Sequence, residues 1–525
     1  MTGRVLMVQG TASHVGKSVL VAALCRMFRQ DGFRVAPFKA QNMSNNSYVT
    51  AGGGEIGRAQ AVQAEAAGVE ARVEMNPILL KPEADHISQV VLLGRPMLSA
   101  KVRDYFSLKP QLWESVRSSL DTLRQEFDIV VVEGAGSPAE INLKATEIVN
   151  MKVARYANAP VLLCGDIDRG GVFAFLVGTL ELLDPEEREL IKGLVINKFR
   201  GDESLLTDGL TWLEEKTGIP VAGVIHHFND IHIPEEDSVA LDLPVRNRSR
   251  AILDVAVVQV PHISNFDDFD PLSREDAVAL RYVNSADDMG RPDLIILPGS
   301  KTTIPDLAWM ERQGLVSAIR RLHGEGTAVI GICGGYQMLG SRLFDPEGVE
   351  STLPEMEGLG LLPMSTVFAG HKETHRVRGK VLQDTGLLAG AKGLSLHGYE
   401  IHMGRTTGEN MRAAFRIDDR SDVPVTEDTA FDGALDTSGR VLGTYIHGLF
   451  HNGELRRCIL QALARAKEIT LPPLAGDQSI DREYDKLADW VRSSLNMDLI
   501  YQMSGLVRDF EAVEATEATG RETTG

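Results

Sequence analysis

Cysteine is scarce in this 525-residue chain, and its four cysteines stand far apart. No pair has the CxxC spacing, so the sequence predicts neither a disulfide framework nor a zinc site. This cysteine usage is typical of a protein of the reducing cytoplasm. The chain also lacks a run of about 18 apolar residues, and its first residues lead directly into a predicted strand. We therefore expect neither a membrane partner nor a cleaved signal segment.

Long clusters of positive charge are missing as well. The chain has 54 Lys and Arg against 73 Asp and Glu, a net charge of -19. Nonspecific binding to nucleic acid needs clustered cations, so nucleic acid is not an expected partner. Hydrophobic residues make up 43% and charged residues 24%, which excludes the disordered and fibrous classes. A chain of this length is expected to contain about three globular units.

The first part of the chain alternates short apolar runs with amphipathic segments. Such alternation is typical of a parallel sheet covered by helices on both faces, a doubly wound α/β unit. Its predicted strands are residues 5–8, 35–38, 129–132, 161–164, 194–196 and 221–225. A second α/β unit has predicted strands at 253–260, 294–297, 328–332 and 441–445, with antiparallel additions between 355 and 405. The predicted plan is therefore a first domain over 1–233, a linker over 234–250, a second domain over 251–455, a helical segment over 456–508 and a disordered tail over 509–525.

A glycine-rich loop, Gly10-Thr-Ala-Ser-His-Val-Gly16-Lys17-Ser18, lies between the first strand and a predicted helix. Backbone N–H groups and a helix N-terminus in this position suit phosphate oxygens, while Lys17 would neutralise phosphate charge and Ser18 would ligate Mg²⁺. Five residues separate the two glycines, where the standard motif has four. A structural turn is the alternative, which the strand and helix on either side disfavour. The predicted nucleotide ligands are Gly10, Thr11, Val15, Gly16, Lys17 and Ser18.

Two further strand ends carry polar side chains. Glu133 follows the strand at 129–132 and is predicted as a Mg²⁺ ligand, the alternative being a solvated carboxylate before a glycine turn. Asn197 ends another strand, where its amide could read the nucleotide base.

The string Gly331-Ile-Cys333-Gly-Gly335 predicts a nucleophile elbow, a strained turn that exposes a cysteine between a strand and a helix. The N–H groups of Gly334 and Gly299 are candidates for an oxyanion hole. A buried core cysteine is the alternative, which the flanking glycines disfavour. The candidate base is His447, at the tip of a predicted strand, with His402 as the runner-up.

These strings together resemble class I glutamine amidotransferases of the cobyric acid and cobyrinic acid a,c-diamide synthase type, fused behind a dethiobiotin-synthetase-like ATPase domain. The resemblance covers roughly residues 1 to 460, and dethiobiotin synthetases share the longer phosphate loop. It rests also on residues 37–46, 54–60, 166–173, 265–271 and 297–302, which include Pro37-Phe-Lys-Ala-Gln-Asn-Met and Asn265-Phe-Asp-Asp-Phe-Asp-Pro271. The fold it implies is an N-terminal doubly wound P-loop NTPase domain followed by a C-terminal class I glutamine amidotransferase α/β domain.

The resemblance implies a glutamine-hydrolysing ligase of cobalamin biosynthesis that uses ATP and Mg²⁺. Cys333 and His447 would release ammonia from glutamine, and the b, d, e and g carboxylates of adenosylcobyrinic acid a,c-diamide would be amidated to give adenosylcobyric acid. The partners are thus glutamine and a corrinoid, and the oligomeric state is left open. The alternatives are a cobyrinic acid a,c-diamide synthase and a ParA- or MinD-like switch ATPase.

Some site residues follow from this resemblance or from local composition. Ordinary class I amidotransferases carry a Glu two residues after the catalytic His, where this chain has Leu449, so a Cys/His dyad is expected, with Glu400 as a candidate to orient His447. Glu55 is a further candidate Mg²⁺ ligand by its position relative to dethiobiotin synthetases. Amide and cationic donors suited to corrinoid carboxylates are expected to line an open polar groove, a simple Asn-rich turn being the alternative. These donors are Lys39, Gln41, Asn42, Asn45, Asn46, Arg58 and Gln60.

Overall fold

The computed structural model describes residues 2–84, 87–228, 230–231, 233–234, 251–421, 423–472 and 480–507. The predicted linker beyond residue 234 and the predicted tail lie outside these residues. Of the helices that the structure describes, none combines the length and the hydropathy that a bilayer span requires.

The first domain is built on a six-stranded parallel sheet. The strands of the whole domain are β1 (Arg4–Gly10), β2 (Val35–Phe38), β3 (Gln41–Met43), β4 (Ser47–Val49), β5 (Glu55–Gly57), β6 (Ile78–Ala84), β7 (Ile87–Leu92), β8 (Arg95–Lys101), β9 (Ile129–Glu133), β10 (Val161–Asp166), β11 (Ile191–Phe199) and β12 (Val221–His226). Outside the six-stranded sheet, the other six strands of the domain form two smaller sheets, β3-β6-β7-β8 and β4-β5. Its helices are α1 (Lys17–Gln30), α2 (Arg58–Ala67), α3 (Val102–Glu126), α4 (Met151–Ala157), α5 (Val172–Leu182), α6 (Pro185–Arg188) and α7 (Thr207–Thr217). The sheet order is β12-β11-β10-β1-β9-β2, so all six predicted strands of this domain lie in one sheet.

The sheet positions the phosphate loop and its neighbours. Strand β1 is central, because it pairs in parallel with β9 on one side and β10 on the other. The carboxyl ends of parallel strands meet at one edge, which is where open α/β sheets bind ligands. The loop after β1, Glu133 at the end of β9 and Asn197 in β11 consequently share this edge.

The second domain is built on an eleven-stranded mixed sheet. Its strands, with one separate pair (β14 and β17), are β13 (Leu253–Val258), β14 (Ile263–Ser264), β15 (Val278–Val283), β16 (Leu294–Leu297), β17 (Gly299–Ser300), β18 (Ala328–Ile332), β19 (Arg342–Phe344), β20 (Glu355–Glu357), β21 (Met364–Val381), β22 (Ser395–Gly408), β23 (Arg412–Arg420), β24 (Phe431–Leu435) and β25 (Val441–Thr444). The helices in the rest of the described chain are α8 (Asp270–Ser273), α9 (Thr303–Arg312), α10 (Leu315–Glu325), α11 (Gly334–Leu339), α12 (Gly453–Ala466), α13 (Ile480–Ser494) and α14 (Met497–Ser504).

The first parallel part of this sheet has the order β15-β13-β16-β18-β25. Antiparallel pairs continue the sheet from β25, except that β19 pairs in parallel with β21. The four predicted parallel strands and the predicted antiparallel additions are confirmed. Strand β15 was not predicted, because it is an edge strand with four half-buried residues between its two buried ends. Its sequence therefore lacks the continuous apolar run that identifies the central strands.

The predicted C-terminal helical segment divides between the two domains. Helix α12 packs its buried face into the core of the second domain. Helices α13 and α14 instead return to the first domain, where they share a core with α1. Ion pairs of Arg26 with Asp485 (2.7 Å) and of Arg492 with Asp31 (2.9 Å) flank this contact. The helices expected over 456–508 are present, but they pack on two different cores, because helical periodicity does not identify the partner of an apolar face.

Candidate functional site

The phosphate loop is held in its conformation by a glycine with positive φ and by contacts of Lys17. Gly16 has φ +98°, in the left-handed region, and a Cβ there would lie 2.2 Å from Asn197 Nδ2. The Lys17 ammonium donates to the carbonyls of Ala12 (2.9 Å) and Gly136 (3.1 Å), so its charge lies at the mouth of the loop. Helix α1 begins at Lys17, and its N-terminus adds a positive dipole end. The arrangement suits a nucleotide phosphate.

Glu133 and Ser18 provide oxygen ligands beside this loop. The Ser18 hydroxyl donates to Glu133 Oε1 (2.8 Å), and the same carboxylate accepts from Lys39 (2.8 Å) and Gln63 (2.6 Å). Burial acts to raise the pKa of Glu133, but the Lys39 ammonium and these hydrogen bonds hold it below its ordinary value. An ionised carboxylate next to a hydroxyl is a donor set that suits Mg²⁺, so these two residues fit the ion.

Asn197 is hydrogen-bonded to the phosphate loop. Its Nδ2 donates to the Val15 carbonyl (2.8 Å) and its Oδ1 accepts from the Lys198 N–H (2.9 Å), so both ends of the amide are engaged. Asn197 therefore holds the phosphate loop in place from the neighbouring strand, and recognition of the base by Asn197 stays a prediction.

Glu55 lies in a different cluster from Ser18 and Glu133. Its carboxylate is paired with Lys372 (2.6 Å) and Lys81, and it accepts from Ser47 (2.7 Å). Burial acts to raise its pKa, but the two ammonium groups hold the pKa of Glu55 far below its ordinary value. A carboxylate neutralised by two lysines is a poor Mg²⁺ ligand, so the prediction for Glu55 is not retained.

The predicted corrinoid-binding residues do not form an open groove. Among the seven donors, five are buried: Lys39, Asn42, Asn46, Arg58 and Gln60. They contact other protein groups; for example, Asn42 donates to Gln60 (2.9 Å). The expectation of an exposed surface made by all seven was wrong, since five of them are buried. Gln41 and Asn45 are half-buried and stay candidates.

Lys17→Ala is expected to lower ATP-dependent amidation by about 10²–10³-fold, because a positioned cation that stabilises developing phosphate charge is lost. Glutamine hydrolysis measured without ATP should persist, since Lys17 belongs to the other site. The two rates are measured by corrinoid product and by glutamate release. Lys216→Ala, on the exposed face of α7, is the matched control. Equal loss of both rates in Lys17→Ala would contradict the assignment.

Cys333 stands in a strained turn between β18 and α11. Its φ of 53° and ψ of -109° are rare for a residue with a side chain, as expected of a nucleophile elbow. A Cβ at Gly335 would lie 2.0 Å from the Leu297 carbonyl oxygen, so the turn requires glycine there. The Cys333 sulfur lies 3.3 Å from the Ile401 carbonyl, beside the pocket that both Cys333 and His447 line.

The two predicted oxyanion-hole residues lie near the dyad. A Cβ placed on Gly299 would be 3.0 Å from His447 Cε1, and one placed on Gly334 would be 2.9 Å from the Ser300 nitrogen. Backbone from two separate turns therefore meets beside the sulfur. A side chain at either position would crowd these groups, so both turns favour glycine.

His447 is oriented by Asp268. His447 Nδ1 donates to Asp268 Oδ2 (2.7 Å), and the other carboxylate oxygen accepts from the Gly448 N–H (2.6 Å). The hydrogen bond from Nδ1 to Asp268 fixes the orientation of the His447 ring and leaves its Nε2 available to Cys333. Burial disfavours the imidazolium, but the Asp268 carboxylate and Cys333 together raise the pKa of His447 to about 10. The buried arrangement is a Cys-His-Asp triad with its acid supplied from a distant part of the chain.

The sequence did not identify Asp268, which is 179 positions from His447. Asp268 lies in the string at 265–271, which supported the family resemblance, but no residue of that string was given a catalytic role. Glu400, the predicted orienting residue, is instead held by Arg420 through bonds of 2.8 and 3.0 Å. Glu400 therefore does not orient His447, and Asp268 takes that place.

His402, the runner-up base, also lines the pocket. It stacks on Tyr445 at 3.8 Å between ring centroids, and its Nδ1 bonds the Gly404 carbonyl (3.0 Å). Burial lowers its pKa against the attraction of Glu400. A neutral imidazole fixed in this way is less suited than His447 to pair with a thiolate.

An ion pair between the two domains involves Asp267, the sequence neighbour of the triad residue Asp268. Arg58, at the start of α2 in the first domain, places Nε 3.2 Å from Oδ2 of the buried Asp267. Burial raises the pKa of Asp267 against the attraction of Arg58. Because Asp267 precedes Asp268, the charge of Arg58 supports the segment that orients His447. The sequence did not predict this ion pair, and corrinoid binding by Arg58 stays a prediction.

Arg58→Met is expected to reduce glutamine turnover by roughly tenfold or more, because Asp267 would be left buried without its cation. Arg58→Lys should recover part of that activity. Arg376→Met is the matched control, since Arg376 also crosses the domain interface, to Glu70 (2.6 Å). Glutamate release is the measurement, and equal losses in Arg58→Met and Arg376→Met would contradict a specific role for Arg58.

Two family models match the chain. Residues 6–239 match the CobQ/CobB/MinD/ParA nucleotide binding domain, and residues 254–455 match the CobB/CobQ-like glutamine amidotransferase domain. Proteins named cobyric acid synthase are similar over almost the whole length. One from Dehalococcoides mccartyi is 52% identical over 499 residues (95% of this chain, 98% of that protein). One from Moorella thermoacetica is 52% identical over 509 residues (96% and 98%), and one from Sorangium cellulosum is 50% identical over 525 residues (97% and 100%).

Proposed function

The chain belongs to the cobyric acid synthase family, and from this premise we propose that it amidates the b, d, e and g carboxylates of adenosylcobyrinic acid a,c-diamide. Glutamine is the nitrogen source and ATP the energy source. The observation that carries the proposal is the pairing, in one chain, of a buried Cys-His-Asp triad with a phosphate loop that has a carboxylate beside it.

The glutaminase half follows from the triad geometry. The Cys333 thiolate attacks the side-chain amide carbon of glutamine, and backbone N–H groups near Gly334 and Gly299 stabilise the oxyanion. His447 gives its proton to the leaving nitrogen, the C–N bond breaks and ammonia departs. Water, deprotonated by His447, then cleaves the thioester to glutamate.

The synthetase half takes place at the phosphate loop. A corrinoid carboxylate oxygen attacks the γ-phosphorus of ATP, which gives an acyl phosphate and ADP. Ammonia then attacks the acyl carbon, and phosphate leaves. Lys17 would neutralise phosphate charge, and Ser18 and Glu133 would hold Mg²⁺, which would supply further positive charge to stabilise the transferring phosphoryl group.

The proposal also covers the localisation, the domain bounds and the alternative functions. We place the enzyme in the cytoplasm, with one domain over 1–233 and another over 251–455. The cobyrinic acid a,c-diamide synthase alternative shares both chemistries and differs only in which carboxylates react. A switch ATPase has no use for the triad and is not favoured.

Incubation with glutamine, ATP, Mg²⁺ and either corrinoid tests the substrate. Mass spectrometry is expected to show four amidations of adenosylcobyrinic acid a,c-diamide. Amidation of cobyrinic acid alone would support the alternative synthase and contradict our choice.

A further inference from the structure

Two buried glutamines on α2 carry polar atoms that the reaction described so far does not use. Gln60 and Gln63 are 0% and 1% exposed, and their spacing of three residues places them on one face of the helix. Among the residues that the structure describes, neither Gln60 Nε2 nor Gln63 Oε1 has a hydrogen-bond partner. Buried amide groups are ordinarily satisfied, so an open donor and an open acceptor on one face indicate a small polar ligand.

Hydrogen bonds at the other atom of each amide fix which atom is left open. Asn42 Oδ1 accepts from the Met43 N–H (2.9 Å), so Asn42 Nδ2 is the atom that donates to Gln60 Oε1 (2.9 Å). Gln63 Nε2 donates to the Glu133 carboxylate (2.6 Å), whose ionised oxygens can only accept. Neither glutamine amide can be flipped without losing its bond. The open atoms are therefore a donor on Gln60 and an acceptor on Gln63.

The synthetase site adjoins one end of this pair. Besides Glu133, Gln63 Nε2 contacts the Ser18 carbonyl (3.3 Å). Ser18 and Glu133 are the residues that suit Mg²⁺, and they are joined by a hydrogen bond of 2.8 Å. Because the acyl phosphate would form beside this metal site, a nucleophile bound at Gln63 would be close to the carbon that it attacks.

The glutaminase pocket adjoins the other end of α2. Asn265 lines that pocket, and its Nδ2 donates to the Ser47 carbonyl of the first domain (3.3 Å). Ser47 pairs with Gly57, the residue that precedes α2, and both Asn265 and Ser47 are buried. Gln60 is the third residue of the helix, and Gln63 follows almost one turn later. Buried residues thus connect the glutaminase pocket to the synthetase site along α2.

Ammonia matches the open pair in size and in chemistry. Its lone pair can accept from Gln60 Nε2, and its N–H groups can donate to Gln63 Oε1. Ammonium has no lone pair to accept the first of these bonds, so the pair favours the neutral form, which is the nucleophile. A corrinoid carboxylate can only accept and so cannot donate to Gln63.

We propose that Gln60 and Gln63 form a binding site for the ammonia that the Cys333 triad releases, and that they present it uncharged to the acyl phosphate beside Glu133. The proposal rests on the proposed function, in which glutamine nitrogen is transferred to a corrinoid carboxylate. No covalent bond forms or breaks at the two glutamines. They act by holding the ammonia away from solvent until it attacks.

Gln60→Met tests the site, because it removes the open donor and leaves Gln63, which also contacts Glu133, in place. The number of glutamate molecules released per corrinoid amide formed is expected to rise roughly 3- to 10-fold, since one hydrogen bond to ammonia is lost and more of it escapes. KM for ammonium in ammonium-supported amidation should rise by a similar factor, while kcat at saturating ammonium is kept. Gln60→Asn retains an amide and should recover part of the coupling.

Gln89→Met is the matched control, because Gln89 is a buried glutamine of the first domain that lies on β7. Its ratio of glutamate to corrinoid amide should equal that of the unmodified enzyme. If Gln60→Met does not fold, as circular dichroism would show, the ratio in Gln60→Asn decides in the same way.

An unchanged ratio would overturn the proposal, as expected if the two open atoms bind only water. A raised KM for the corrinoid with an unchanged ratio would also overturn it and would place Gln60 in the corrinoid site. Absence of glutamine-dependent amidation in the unmodified enzyme would instead contradict the proposed function itself.

Discussion

Cys333→Ala is expected to abolish glutamine-dependent amidation, with a loss of at least about 10³-fold, and to leave amidation from ammonium salts intact. The reason is that the sulfur is the only group at the elbow that can form the thioester, while the synthetase site lies in the other domain. Both rates are measured as corrinoid amide formed, with glutamine or with ammonium as the nitrogen source.

The control for this substitution is Cys458→Ala, which removes a half-buried thiol far along the chain. It should leave both rates unchanged. If Cys333→Ala also lost the ammonium-dependent rate, the two sites would not be chemically separable. If it kept the glutamine-dependent rate, Cys333 would not be the nucleophile.

Asp268→Asn is expected to reduce kcat for glutamine hydrolysis by about 10²–10⁴-fold with a smaller change in KM, because the orienting carboxylate is lost while its shape is kept. Without the anion, burial of His447 favours the neutral imidazole. The alkaline limb of the rate profile, set by a histidine pKa of about 10, should therefore move to lower pH. Steady-state kinetics across pH measures both effects.

The same ion pair should contribute to stability. The pKa of His447 is raised in the folded state, so the contribution is complete below the unfolded value near 6.5 and is lost as pH rises through about 10. The difference in Tm between the unmodified protein and Asp268→Asn should shrink over that range. Glu400→Gln is the control and should leave the rate profile unshifted; a shift there and none in Asp268→Asn would reverse the assignment.

Much of the fold was predictable because central parallel strands are buried on both faces. Runs such as 129–132 and 328–332 are continuously apolar, and each ends at a residue that the chemistry uses, Glu133 and Cys333. The phosphate loop and the elbow were predictable for a second reason, since both need glycines at fixed spacing. Local patterns of this kind depend only on neighbouring residues.

What escaped prediction depends on contacts between distant segments. Asp268 reaches His447 from the other end of the domain, and Arg58 pairs with Asp267 across the domain interface. A run of Asn, Gln, Lys and Arg suggested an exposed groove, yet five of these seven side chains are buried against other parts of the protein. No rule based on sequence spacing predicts that burial. Charge and polarity indicate that a residue needs a partner, and only the fold shows which partner it has.

The most direct measurement follows nitrogen from one site to the other. The enzyme is supplied with glutamine labelled at the amide nitrogen, ATP, Mg²⁺ and adenosylcobyrinic acid a,c-diamide, with unlabelled ammonium in the medium. We expect label in the new corrinoid amides of the unmodified enzyme and only unlabelled nitrogen in the amides formed by Cys333→Ala. Glutamine hydrolysis without label in the corrinoid, or without corrinoid amide at all, would contradict the coupling of the two sites.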